Sequence, residues 1–318
     1  MTEEPRERGS LEARDRGPLH ERRRHRAHLA LLAGAVAILL VTAVLVAYAA
    51  TASGPRRRAQ LPPHSGTPTT DSCRDPSGQP LPPSNVPGYA RVFADDFRYS
   101  VPLGAFPSAV RQEWGKSYPD GTPDTSGHGR YEPTDVVSIA CGLMHIDMHT
   151  QGGVHEVAAV VPTIPGASGP EGGLTAGMYE VRFRATVATD SYKVAFLLWP
   201  DSENWPADGE VDFPEGTLGT TIGAYMHHQG GTSQDDQDVY TSSATFLSWH
   251  TATTVWRPDL GFTAFYLDGK LLGESRADVP DTPMHWVLQC ETAETGPAPP
   301  DDVHTEVQVA WVAAYVVH

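Results

Sequence analysis

The chain has 318 residues, 40% of them hydrophobic, enough to bury a full core in one large domain. Its net charge of −16 hides an asymmetry, because residues 1–58 hold 11 of the 23 Lys and Arg but only 6 of the 39 Asp and Glu, which leaves 12 basic against 33 acidic residues in the rest. A body that acidic repels nucleic acid and other polyanions, so neutral or cationic partners are expected.

Residues 1–28 are charged, broken by Pro and Gly and without apolar periodicity, and read as a basic cytoplasmic tail. Arg22, Arg23, Arg24 and Arg26 directly precede an uncharged apolar run, Leu29 to Ala52. Its 24 residues exceed the about 20 needed to cross a bilayer. With arginines on its N-terminal side, the run is expected to be a single-pass signal-anchor with the N-terminus cytoplasmic and the remainder extracellular. Ala47-Tyr48-Ala49 and Ala50-Thr51-Ala52 offer small-residue cleavage sites, so the alternative is a secreted protein. Residues 53–88 are rich in Pro, Ser, Thr and Gly and read as a linker. Of Cys73, Cys141 and Cys290, one pair can form a disulfide in that compartment, and sequence leaves all three pairings open. Their spacing does not suit zinc, and no metal site is expected from them.

The domain is expected over residues 89–318, where hydrophobic periodicity becomes two. Tyr89 to Phe93 is the first alternating run, and Val136 to Met148 alternates with one slip of register. Met178 to Val187 sets Tyr179, Val181, Phe183 and Ala185 against a polar face of Glu180, Arg182 and Arg184. Lys193 to Trp199 is a nearly continuous apolar run and reads as a strand covered on both faces. Further strands are expected at 220–228, 250–256, 262–267, 286–290 and 306–317, and Asp268-Gly269 between apolar runs is a hairpin turn. Many short strands punctuated by Gly and Pro predict an all-β fold, an antiparallel β-sandwich, with one N-terminal transmembrane helix before it.

Between two of these strands lies Gly209-Glu210-Val211-Asp212-Phe213-Pro214-Glu215-Gly216. Three carboxylates on one strand are costly unless they have a use. Alternation puts Glu210 and Asp212 on one face, and Glu215 joins them only if one extra residue restores the parity. Pro214 suits such a β-bulge, because proline cannot donate to the ladder. Three acids on one cleft floor suit retaining glycoside hydrolysis, in which one Glu attacks the anomeric carbon and the other serves as acid and then base.

Glu-Val-Asp-Phe-Pro-Glu resembles the E-x-D-x-x-E signature of glycoside hydrolase family 16, the laminarinase-like clan of β-jelly-roll, concanavalin-like enzymes. The resemblance extends over most of residues 90–318: Asp95-Asp96-Phe97 resembles that family's opening strand, Gly177 to Arg184 its "yG.yEvR.R" strand, and Leu197-Leu198-Trp199-Pro200 the strand before the motif. Trp249-His250-Thr251, Phe265 to Gly269 and Val309 to Tyr315 resemble its later strands, the last without the family's usual Asp. It implies Glu210 as nucleophile, Asp212 as the residue orienting it and Glu215 as acid/base. It implies an endo-acting hydrolase of a neutral β-linked glycan, most directly β-1,3- or mixed-linkage β-glucan. The alternatives are a same-fold hydrolase or transglycosylase of a galactan or cell-wall glycan, and a non-catalytic sugar-binding sandwich. Some family members hold a structural calcium ion, which nothing in this sequence locates, and no cofactor is expected.

Around the motif, Trp199 and Trp205 are candidates for stacking on sugar rings. Arg182 and Arg184, on the polar face with Glu180, read as solvated charges, with contacts to sugar hydroxyls as the alternative. One of His227 and His228 must face the cleft, and His228 is the residue chosen; Gln289 is placed on a strand crossing it. Asp235, Asp236 and Asp238 lack the glycine and distal Glu of a calcium loop and read as an acidic solvated loop. A polysaccharide and the membrane are the expected partners, and the protein is expected to be a monomer.

Overall fold

The computed structural model describes Cys73 and residues 76–318. The expected tail and signal-anchor lie outside the described residues, as does most of the linker. Among the described residues no helix is long and apolar enough to cross a membrane.

Seventeen strands carry this part of the chain. The first seven are β1 (Asn85–Val86), β2 (Tyr89–Asp95), β3 (Thr122–Pro123), β4 (Gly129–Tyr131), β5 (Val137–Ala140), β6 (Leu143–Gln151) and β7 (Val154–Val160). The next five are β8 (Gly177–Ala185), β9 (Tyr192–Pro200), β10 (Glu210–Thr217), β11 (Thr221–His227) and β12 (Gln237–Thr245). The last five are β13 (His250–Arg257), β14 (Phe262–Leu267), β15 (Lys270–Ser275), β16 (Met284–Thr292) and β17 (Thr305–Val317).

They form the expected sandwich. In the outer sheet β17 has β8 along one edge and shares the other between β6 and β2, and β13, β14 and β15 continue beyond β8. The inner sheet runs β7–β16–β9–β10–β11–β12, antiparallel throughout. The β6–β7 hairpin links the two. Between them, Tyr179 of β8 meets Trp286 of β16 with ring centroids 5.4 Å apart, and Phe183 meets Phe196 of β9 at 5.8 Å. Burial of such aromatic pairs is the main source of cohesion in a two-layer fold.

Several strand readings change in detail. Val136 to Met148 is not one strand with a slip, because Cys141 and Gly142 both take positive φ and turn β5 back onto β6. β12 was not foreseen, since its sequence QDVYTSSAT is polar and its side chains alternate between exposed and half-buried. Asp268 and Gly269, at φ 51° and 74°, make the expected two-residue turn between Leu267 and Lys270.

The polar face read on β8 is not solvated. Glu180 is buried, and a second small core of Tyr89, Met178, Tyr266, Ala313 and Tyr315 covers the outer face of the sheet. Residues 76–88, expected in the linker, pack against this side. Trp311 Nε1 donates to the Gln79 carbonyl at 2.9 Å, Arg182 to that of Ser77 at 3.0 Å and Arg91 to that of Pro82 at 2.6 Å. Residues 76–88 thus form a strap across the outer sheet, a Cys73–Cys141 disulfide just before it ties it to the β5–β6 turn, and Cys290 is a buried thiol.

Candidate active site

The inner sheet floors a cleft of about 670 Å³, and the residues that line it follow from alternation along β9 and β10. On β9, Val194, Phe196 and Leu198 point into the core, while Lys193, Ala195, Leu197 and Trp199 line the cleft. The run that read as covered on both faces is therefore covered on one by the opposite sheet and borders the cleft on the other.

On β10, Val211 and Phe213 are core residues, and Glu210, Asp212 and Glu215 line the cleft. The expected bulge is present. Asp212 pairs with Leu197 and Glu215 with Ala195, so three steps on β10 span two on β9, and the same shift occurs against β11. The extra residue returns Glu215 to the face of the other two acids. Pro214 sits within the bulge, preceded by a cis peptide bond. Gly209 leads into the strand at φ 73°, where an added Cβ would lie 2.6 Å from Pro280 and 2.7 Å from the His227 carbonyl. Only glycine suits both demands.

The three acids perturb one another. Burial pushes Glu210 up to about 8, with Glu215 adding to the rise and a hydrogen bond to Asp212 opposing it. Burial and then the charges of Glu210 and Glu215 hold Asp212 well above the ordinary carboxyl range. The interaction between the two lowers Glu210 and raises Asp212, so within the pair Asp212 is the one favoured to hold a proton. Burial also raises Glu215, and Lys193 Nζ, 2.9 Å from its Oε1, pulls it back.

Trp199 and Trp205 both line the cleft with their rings stacked, 17° apart in plane and 6.3 Å between centroids, and Gln289 lies across the floor. His228 does not reach the cleft. His227 pairs directly with Glu210 across the ladder, so it is His227 whose ring shares the acids' face, and β11 ends there. His227 Nε2 lies 3.8 Å from Glu210 and 3.5 Å from Asp212, and burial lowers its proton affinity, which favours the neutral imidazole. His228 instead turns toward Asp238, 3.5 Å away. Register against Glu210 was the signal that would have chosen between the two histidines. Glu210, Asp212 and His227 offer donor atoms within 4.8 Å of one another, a geometry set here by acids on one strand and the imidazole opposite.

Other lining residues carried no strong sequence signal: Tyr118, Asp124 and Tyr131 from the segment before β5, Tyr225 from β11, Glu294 after β16 and Lys193. Asp235, read as part of a solvated loop, stands on the cleft rim. Arg182 and Arg184 lie on the outer sheet, their guanidinium groups 5.9 and 4.8 Å from the centre of the Trp249 ring, and take no part in the cleft.

No protein-family model matches the chain, and no curated protein matches it. Solved structures do. SCLam, a non-specific endo-β-1,3(4)-glucanase from glycoside hydrolase family 16, is 17% identical at a TM-score of 0.58, over 75% of this chain and 95% of that one. The laminarinase of Rhodothermus marinus is 18% identical at 0.58, over 72% and 98%. The endo-1,3-β-glucanase of Streptomyces sioyaensis is 21% identical at 0.57, over 74% and 98%. At these identities the likeness is one of architecture, and the chain has the jelly-roll fold on which the family 16 endo-β-1,3(4)-glucanases are built.

Proposed function

We propose that the protein is a retaining endo-glycoside hydrolase acting on a neutral β-linked glucan, β-1,3- or mixed-linkage. The observation that carries this reading is the bulge in β10, which brings Glu210, Asp212 and Glu215 onto one cleft floor beside stacked indoles in a glucanase-like fold.

In the first step a Glu210 carboxylate oxygen bonds to the anomeric carbon as the glycosidic C–O bond breaks, and Glu215 gives its proton to the departing oxygen. In the second, Glu215 takes a proton from water, whose oxygen displaces Glu210 from the same carbon. The product keeps its configuration and both acids return to their starting states. Asp212, on the same face of β10, orients Glu210, and His227 faces the same oxygens. Trp199 and Trp205 offer flat apolar faces to the sugar rings. The same reading sets the domain outside the cytoplasm, carried by residues 29–52.

The test is incubation of the ectodomain with laminarin, lichenan, agarose and a β-galactan, with reducing ends and oligosaccharides as readout. Glu210→Gln is expected to abolish cleavage and keep glycan binding, and proton NMR of the first product is expected to report retention. Binding without cleavage of any glycan would replace this reading with a sugar-binding sandwich. An inverted product would overturn the roles given to Glu210 and Glu215. Fractionation of cells making the full chain tests the anchor, which soluble release of the whole chain would refute.

A further inference from the structure

Lys193 is an unexpected residue on a cleft floor. It is the second residue of an otherwise apolar strand and is buried, and alternation along β9 turns its side chain toward the acids rather than the core. Its Nζ donates to Glu215 Oε1 at 2.9 Å, ion-pairs with Glu291 at 3.5 Å and contacts Glu294 closely. Burial alone favours the neutral amine, but the three carboxylates more than reverse that and hold the ammonium above the usual lysine range.

The partners differ in kind. Glu291 is Lys193's direct neighbour across the β9–β16 ladder and is wholly inaccessible to solvent. Its Oε2 accepts from the Tyr131 hydroxyl and the Thr125 N–H, each at 3.2 Å, whereas its buried Oε1 has no hydrogen-bond partner and faces Lys193. Glu294 stands at the rim and is 45% exposed. Glu215 is the only one of the three on the strand of the motif.

We propose that Lys193 is a positioning residue for the acid/base: anchored from below by Glu291, its ammonium fixes the Glu215 carboxyl on the cleft floor and supplies the positive charge against which that carboxyl cycles between acid and base. This rests on the hydrolase reading above. A carboxyl that must donate in one step and accept in the next cannot be left to burial, which favours the protonated form throughout. The other titratable groups facing it do not counter burial. Glu294 and the acids of its own strand favour its protonation, Tyr225 of β11 is neutral with its proton held by burial and by Glu215 itself, and the imidazole of His227 is kept neutral. Lys193 is the charge that opposes them.

The experiment compares wild type with Lys193→Met, Lys193→Arg and the double variant Lys193→Met/Glu291→Gln. The double variant removes both members of the buried pair, so an unpaired Glu291 cannot be mistaken for the effect. Thermal unfolding establishes that each variant folds. The Glu215 titration is followed by NMR of ¹³C-labelled Glu carboxyls, assigned with Glu215→Gln, and this readout does not depend on turnover. An opposite charge at this range moves a carboxyl by about 1–3 units, so the midpoint is expected to rise by at least about one unit in Lys193→Met and in the double variant. Lys193→Arg is expected to stay near wild type. With laminarin or lichenan as substrate, the alkaline limb of kcat/KM should move upward in step. An unchanged Glu215 midpoint in folded double variant would overturn the inference and leave Lys193 as a counter-ion for Glu291 alone. A shifted midpoint in a protein that cleaves no glycan would uphold the Lys193–Glu215 coupling and refute the hydrolase reading instead.

Discussion

Glu180 offers a test of the fold away from the cleft. It sits on β8 in the middle of the outer sheet, 2% exposed, and accepts from Thr253 Oγ1 at 3.2 Å. Burial pushes its carboxyl from 4.5 up to about 7, with Tyr315, Thr253 and Arg91 opposing the rise. The sign follows from linkage. Below pH 4.5 the group is protonated in both the folded and unfolded chain and has no effect. From there to about pH 7 the unfolded chain gives up a proton that the folded one keeps, so stability falls as pH rises. Above that both states are ionised and the full penalty stands. At 1.36 kcal/mol per unit, the rise from 4.5 to about 7 corresponds to about 3 kcal/mol. Glu180→Gln removes the titration, while its extra N–H₂ group needs a partner and costs about 1 kcal/mol where none is found. The variant should therefore be more stable than wild type by about 2 kcal/mol at pH 8 and no more stable at pH 4.5. Denaturant midpoints by circular dichroism at four pH values would show the curves cross. Parallel curves for the two proteins would refute the claim that a buried carboxyl shapes this sheet's stability.

Three further outcomes follow from the cleft and the strap. Trp205→Ala removes one of two stacked indoles and should weaken binding of a laminarin oligosaccharide about tenfold by calorimetry, for a loss of about 1.4 kcal/mol; unchanged affinity would remove it from the sugar path. His227→Ala should lower kcat/KM on the best glucan at least about tenfold, a loss of about 1.4 kcal/mol, while His228→Ala should lie near wild type. Equal effects would contradict the register argument. Cys141→Ser breaks the tie to Cys73, which closes a separation of 68 residues, and should destabilise the domain by about 2–4 kcal/mol in thermal or urea unfolding. No change would mean the strap holds by its hydrogen bonds alone.

What the sequence made legible was whatever depends on a strand's parity. The fold class, the Asp268-Gly269 hairpin and the bulge required by Glu215 all follow from a period of two and the chemistry of a few turn residues. What it concealed depends on which strand lies beside which. Glu180, Arg182 and Arg184 looked like a solvated face because the alternation is clean, and only the strap and the second core reveal that the face is covered. The choice between His227 and His228 needed the pairing of β10 with β11. β12 carries too little apolar character to stand out, and its place beside β11 comes from backbone pairing and from the half-buried Tyr240 and Ala244 rather than from a fully buried face.

The same distinction bears on the motif. Parity alone asks for one extra residue between Asp212 and Glu215 and is silent on the environment the acids then meet. That environment comes from the strands on either side. Leu197 and Ala195 of β9 and Tyr225 and His227 of β11 flank the three carboxyls and take water from them, which raises all three toward protonation. In the proposed hydrolysis, three neutral acids would leave no nucleophile. Two different devices oppose this: interaction with Asp212 lowers Glu210, and Lys193 lowers Glu215 from one strand away. The first device is written within six residues of sequence. The second depends on a lysine 22 positions earlier and a buried glutamate on β16, and no reading of the motif by itself would find it.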